Sequence, residues 1–148
     1  MTELFVIEGE AKCWEDAIRQ TSDVLLEKGC VKDDFYESCV KREKVYPTGL
    51  TEYCPVALPH TSKDHVDKQA ICVLRLKEPV KFHSMEDIDK QVDVSIVLNL
   101  AFLDDRQHIV IISNIITSLK ENDFVSNLLN APIDEFKQSI RNKFLREE

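Results

Sequence analysis

His60 sits where a reactive side chain would be placed. It follows Val56-Ala57-Leu58-Pro59, a short apolar run that stops at a proline. Just upstream, Tyr46-Pro47-Thr48-Gly49 carries the proline and glycine of a tight connection. A histidine fixed at a strand end by a rigid proline is a poor generic loop residue and a candidate nucleophile. Neutral imidazole has a pKa of about 6.5 and keeps a lone pair near neutral pH. The plainer reading is a histidine that ends a strand and bonds to backbone. Arg42, close before the Thr48-Gly49 turn, could bring a guanidinium towards His60, or could be a surface arginine near a helix C-terminus. His108 follows the longest apolar run and begins a helix; a surface position there is equally ordinary. His65 lies in a polar loop and either faces solvent, the expected case, or lines the site around His60. His83 is far from any motif and is given no role. Cys54 precedes His60, but nothing around it resembles a thiol-hydrolase signature.

Several elements must position these residues. Phe5-Val6-Ile7 reads as a first strand. Trp14 to Lys28 reads as a helix, with Trp14, Ala17, Ile18, Val24 and Leu25 at helical spacing and Gly29 placed to end it. Asp33-Asp34 opens a second helix that runs to about Val45. Asp33 is its expected cap, Phe35, Cys39 and Val40 its apolar stripe, and Arg42 lies near its end. Ala70 to Leu76 reads as a strand broken at Glu78-Pro79 and resumed at Val80-Lys81-Phe82. Met85 to Lys90 reads as a loop or a single helical turn. Val92 to Phe102 is rich in β-branched residues and reads as a central strand buried on both faces. Three helices follow, from Arg106 to Lys120, from Asp123 to the Asn130-Ala131-Pro132 break, and from Ile133 to Leu145. Strands alternating with helices give an α/β fold: a single mixed β-sheet sandwiched between helices on both faces. No repeat, linker or low-complexity segment interrupts it, so residues 1–148 read as a single domain.

Composition narrows the function. The chain has 148 residues, 43% hydrophobic and 31% charged, an ordinary globular balance for one core. Its net charge of −8 argues against a general nucleic-acid binder, whose affinity rests on Lys and Arg meeting phosphates. No run approaches the roughly 20 apolar residues that span a bilayer, and no signal peptide is read at the start, so a cytoplasmic location is expected. The five cysteines, Cys13, Cys30, Cys39, Cys54 and Cys72, show no Cys-x-x-Cys pair and are expected to be reduced. No ligand pair has metal-type spacing, so neither a metal site nor a cofactor is expected.

The pattern Arg42-Glu43, Pro47-Thr48-Gly49-Leu50, Val56-Ala57-Leu58-Pro59-His60 resembles the active-site segment of fructose/mannitol-type enzyme IIA proteins. These belong to the bacterial phosphoenolpyruvate:sugar phosphotransferase system. The galactitol-type branch is most similar, because there too a second histidine, here His65, follows the first by five positions, and an apolar strand like Ala70-Ile71-Cys72-Val73-Leu74 comes next. The resemblance covers nearly the whole chain. It departs from the family where many relatives have Gly-Ile-Gly and this chain has Leu50-Thr51-Glu52-Tyr53-Cys54. The position after the histidine, usually small, holds Thr61.

The resemblance implies that His60 accepts a phosphoryl group on Nε2, with Nδ1 held by a backbone carbonyl. It implies a second active-site histidine at His108, as in mannitol-type relatives, donating to phosphoryl oxygens. Phosphoryl transfer needs positioning and neutralisation of those oxygens more than acid–base chemistry. Arg42, the Thr48 hydroxyl and the Thr48-Gly49 backbone amides are the other candidate donors. The implied donor is the histidine phosphocarrier protein HPr. The implied acceptor is a cysteine of a separate IIB protein that serves a membrane IIC, with galactitol a possible sugar. A regulatory protein of the nitrogen-related branch, acting by phosphorylation-dependent binding, is the alternative. A plain α/β binding module with an incidental histidine is the third reading. A carrier that serves two partners should expose His60 in a shallow apolar depression. Leu50, Leu58 and Phe102 are expected to provide apolar contact, with Glu43 or Asp104 at its rim.

Overall fold

The computed structural model describes residues 2–50, 54–121 and 123–146. They form two compact units. One runs from Glu3 to Leu103; the other holds Thr2 and the residues from Asp104 onward. The fold class is α/β, as expected: among the described residues there are one open four-stranded mixed sheet and five α-helices.

The sheet lies in the first unit. Its strands are β1 (Glu3–Gly9), β2 (Val56–Ala57), β3 (Ala70–His83) and β4 (Gln91–Ala101). They are arranged in the order β1-β3-β4-β2. β1 runs parallel to β3 and β2 parallel to β4, while β3 and β4 pair antiparallel. The long apolar run is therefore an interior strand. Its second half, from Ile96, is buried at every position. Its first half alternates, with Gln91 and Asp93 exposed and Val92 and Val94 buried, so burial on both faces holds only towards the C-terminal end. The expected break at Glu78-Pro79 does not occur. β3 continues through it with a register shift between Arg75 and Val80. Proline has no N–H for the ladder, and an irregularity is where a strand tolerates that loss.

Two helices complete this unit. α1 (Trp14–Glu27) packs against β3 and β4, and α2 (Phe35–Val45) packs against α1. α1 buries Ala17, Ile18, Thr21 and Leu25 at helical spacing. Gly29 closes it with φ +73°, its amide donating to the Leu26 carbonyl at 3.0 Å and that of Cys30 to Leu25 at 2.9 Å. Only glycine adopts that left-handed turn without steric cost. The fully buried Asn99 of β4 donates through Nδ2 to the Thr21 hydroxyl at 2.9 Å and to the Ser22 hydroxyl at 3.2 Å, which fixes α1 against the sheet. α2 buries Phe35, Cys39 and Glu43 on one stripe. Asp34 rather than Asp33 takes its N-cap position, and neither carboxylate closes the cap, because Asp34 faces His65 instead.

The second unit holds α3 (Asp105–Leu119), α4 (Phe124–Asn130) and α5 (Ile133–Phe144). Asp104 caps α3, its carboxylate accepting from the Arg106 amide at 2.8 Å. Asn114 of α3 donates to the carbonyls of Phe144 and Arg146, at 3.1 and 3.2 Å, and ties α3 to the end of α5. Phe124 meets Phe144 edge-on at 6.0 Å. No helix among the described residues is long and apolar enough to cross a membrane.

Candidate active site at the end of strand β2

β2 is short because prolines bracket it. Pro55 and Pro59 have no N–H, and each gives its carbonyl to β4. Pro55 accepts from the Ser95 and Ile96 amides at 2.8 and 3.0 Å, and Pro59 from Leu100 at 3.0 Å. His60 follows, bridged to Leu100. It therefore stands at the last point where the chain is still held by the sheet. Its ring is half-buried, and its Nδ1 lies 2.7 Å from the Leu58 carbonyl. A carbonyl can only accept, so the proton of a neutral ring sits on Nδ1 and the lone pair on Nε2.

Behind this bond lies a polar chain. The Leu58 amide donates to the Thr48 hydroxyl oxygen at 3.1 Å. That hydroxyl lies 2.9 and 3.1 Å from the two oxygens of Glu43, and the Thr48 amide donates to Glu43 Oε2 at 2.7 Å. Glu43 and Thr48 are both 4% exposed. Burial pushes the Glu43 carboxyl up to about 7, against the opposing pull of the Thr48 hydrogen bonds and the nearby Arg42 and His83 charges. Gly49 completes the turn. Its amide donates to the His83 carbonyl at 3.1 Å, and a Cβ there would lie 2.6 Å from that same oxygen and 2.7 Å from Val92 Cγ2. Only glycine lets the two backbones come this close.

The candidate donors fare differently. The Thr48 hydroxyl and the Thr48 and Gly49 amides are committed to Glu43 and His83, so they hold the His60 support rather than reach past it. Arg42 is exposed on the last turn of α2, its guanidinium 5.4 Å from the Tyr46 ring. It lines an open cleft of about 330 Å³ with Ser38, Lys41, Tyr46, Thr61 and Ser62. Thr61 and Ser62 are the two residues after His60, and the Thr61 and Ser38 hydroxyls are hydrogen-bonded. The structure thus brings Arg42 to the segment that carries His60. His108 lies in the first turn of α3, in the second unit, its amide donating to the Asp104 carbonyl at 3.0 Å.

His65 does not simply face solvent. Its side chain is 25% exposed, with Nδ1 2.9 Å from Asp34 Oδ1. The His65 ring beside it is the main cause that holds the Asp34 carboxyl below its ordinary range. His83, given no role, bonds through Nδ1 to the Ile88 carbonyl at 2.8 Å and contributes to the surroundings of Glu43. The five cysteines are free thiols. Cys72 is pushed up to about 12 by burial, and Cys39 is raised by burial and by the Glu43 charge, so neither is a nucleophile. Cys54 is half-buried. Among the described residues no cluster of three or more His, Cys, Asp or Glu could hold a metal ion.

The expected apolar rim needs correction. Leu58 is 1% exposed, Phe102 5% and Leu50 8%, and Glu43 is equally buried, so none of them offers surface for a rim. Asp104 is exposed. The exposed apolar surface beside the cleft belongs to Val45 and Tyr46. Glu43 itself was legible as more than a rim charge: it falls four residues beyond Cys39 and eight beyond Phe35, on the buried stripe of α2. A carboxylate at a core position needs partners.

The fold places the chain among solved enzyme IIA structures. The complex of enzyme IIA mannitol with phosphorylated enzyme IIB mannitol, from Escherichia coli, matches with a TM-score of 0.76 at 25% identity, covering 95% of this chain and 94% of that one. The galactitol-specific EIIA component of the phosphotransferase system of Escherichia coli K12 is 29% identical over 140 residues, 93% of each chain. The mannitol-specific enzyme IIA component of Halalkalibacterium halodurans is 30% identical over 132 residues, 87% of this chain and 84% of the relative. The model of the phosphoenolpyruvate-dependent sugar phosphotransferase system family EIIA 2 matches residues 2–143. The chain belongs to that family and is a sugar-specific phosphotransferase component.

Proposed function

We propose that His60 accepts a phosphoryl group from phosphorylated HPr on Nε2 and passes it to a cysteine of a separate IIB protein. The observation that carries this is the 2.7 Å bond from His60 Nδ1 to the Leu58 carbonyl, because it fixes the tautomer whose lone pair is on Nε2. In the first transfer the Nε2 lone pair attacks phosphorus, the donor's phosphorus–nitrogen bond breaks, and the His60 proton stays on Nδ1. In the second, the cysteine sulfur attacks, the phosphorus–Nε2 bond breaks, and the ring returns to its starting state. Arg42 and His108 are the proposed donors to the phosphoryl oxygens, with Thr48 acting behind His60. The protein works as a single cytoplasmic domain, with the sugar, galactitol by resemblance, handled by the membrane partner. The galactitol- and mannitol-specific relatives favour this transport role over a regulatory one.

The test is incubation with phosphoenolpyruvate, enzyme I and HPr, followed by intact mass. One phosphoryl group should add to the wild type and none to His60→Ala. Label persisting on His60→Ala would overturn the assignment.

A further inference from the structure

Resting on His60 as the phosphoryl acceptor, we propose that Glu43 is a positioning residue for that transfer: its buried carboxylate orients Thr48, Thr48 holds the Leu58 amide, and the Leu58 carbonyl aims the His60 ring. Each link is a hydrogen bond. Glu43 takes the Thr48 amide at 2.7 Å and the Thr48 hydroxyl at 2.9 Å; that hydroxyl takes the Leu58 amide at 3.1 Å; Leu58 takes His60 Nδ1 at 2.7 Å.

The Leu58 amide points to the side of β2 that faces the Thr48–Leu50 segment. Leu50 and Gly49 supply that side with the Leu50 amide on the Val56 carbonyl and the Gly49–Ala57 bridge. At Leu58, the last position of this pairing, the amide also meets the Thr48 side-chain hydroxyl. For that, the hydroxyl must turn its proton away from Leu58. Only an acceptor on its far side makes it do so, and Glu43 is that acceptor.

Packing alone gives no reason for a carboxylate here. Glu43 shares the buried stripe of α2 with Phe35 and Cys39, where an apolar side chain of similar size would carry no desolvation cost. Burial raises its pKa accordingly. The groups that face it are Arg42 and Cys39 on its own helix, Thr48 from the following turn and His83 from β3. What a carboxylate offers, and a leucine or a glutamine does not, is two acceptor oxygens for two donors of one residue.

The experiment compares Glu43→Gln, Thr48→Val and Thr48→Ser with the wild type. Two quantities are read: kcat and KM for phosphoryl uptake from phosphorylated HPr, and the ring ¹⁵N shifts of His60 in the unphosphorylated protein. Glu43→Gln and Thr48→Val should each lower kcat about ten-fold or more, as misplacement of a reacting group does, with KM little changed. Both should also lower the share of the Nδ1–H tautomer. Thr48→Ser, which keeps the hydroxyl, should keep both values near wild type. Unchanged kcat and unchanged ring shifts in folded Glu43→Gln and Thr48→Val would overturn the proposal, as would Thr48→Ser failing as badly as Thr48→Val. If Glu43→Gln does not fold, Glu43→Asp takes its place: a shorter carboxylate should lower kcat and shift the ring signals, and wild-type values would refute the role. The ring shifts are read without phosphate. A wrong assignment of the phosphoryl acceptor would therefore show in His60→Ala while the positioning of the ring stood or fell on its own.

Discussion

His60 and His83 make the same bond in two different regions. Each ring presents Nδ1 to a backbone carbonyl, at 2.7 Å to Leu58 and 2.8 Å to Ile88. What differs is the owner of the carbonyl. Leu58 is 1% exposed, its amide held by Thr48 and its neighbour Pro59 held by β4. Ile88 is 47% exposed, in the turn between β3 and β4. A carbonyl fixes a tautomer in both places, but it fixes a direction only where its own peptide is fixed. In-line attack depends on direction, since reacting atoms must be held near 3–3.5 Å and aligned. On the proposed function, the region around His60 suits in-line transfer, whereas the region around His83 closes a turn.

The largest effect expected from this contrast is complete. His60→Ala should take up no phosphoryl group, whereas His83→Ala should take up as much as the wild type. The label should be acid-labile and base-stable, as a phosphorus–nitrogen bond is. Mass spectrometry of the two variants after exposure to the phosphoryl donors decides it. Label lost from His83→Ala would erase the distinction between the two regions.

Next in size are the donors to the phosphoryl oxygens. Arg42→Ala and His108→Ala should stay folded and transfer on the order of 100-fold more slowly, the usual cost of one such donor. Rapid-quench measurement of phosphoryl uptake reads this directly. Wild-type rates in both variants would leave His60 working from its backbone support alone.

A smaller effect should appear in stability. The Glu43 carboxyl is raised from its ordinary value to about 7 in the folded protein. Between those two values the folded protein holds a proton that the unfolded chain has released. Stability should therefore fall as pH rises through that window and level off above it. From about pH 5 to about pH 8 the loss attributable to this group is about 2 kcal/mol. Urea midpoints for the wild type and Glu43→Gln across this range isolate it, because the other titrations largely cancel in the difference. Parallel curves would mean that Arg42, His83 and the Thr48 bonds keep Glu43 charged at an ordinary pKa.

Much of this molecule is legible in its sequence where a single physical rule dominates. The apolar run at Val92 to Phe102, the spacing in Trp14 to Lys28 and the glycine at 29 each follow from local pattern, and the structure shows an interior strand, a helix and its left-handed stop. Leu58-Pro59-His60 reads as a strand end with a rigid residue, and the structure places His60 at the end of β2, bridged to Leu100. The rest depends on partners distant in the chain. Pro79 reads as a break, yet the register shift against β4 carries the strand through it. Asp33 reads as a cap, yet α2 starts one residue later and Asp34 is taken by His65, a residue of the following loop. Thr48 reads as a donor to a bound group until Glu43 is seen to occupy its hydroxyl. Each misreading treats a side chain as available because nothing nearby in sequence claims it.

The smallest effect concerns His65, five residues beyond His60, whose Nδ1 meets not a carbonyl but the Asp34 carboxylate at 2.9 Å. The Asp34 side chain is 60% exposed, and ion pairs so open to solvent contribute little to stability. The pair joins the loop after His60 to the start of α2, but the Lys32 amide on the His65 carbonyl, at 3.0 Å, makes the same connection through backbone. Asp34→Asn should therefore leave the rate of phosphoryl uptake at His60 unchanged and move the ring signals of His65 alone. Ring ¹⁵N spectra beside an uptake assay read both at once. A slowed uptake in Asp34→Asn would show that the His65 loop helps to hold His60, and that support for the reactive ring reaches beyond the Glu43–Thr48–Leu58 chain.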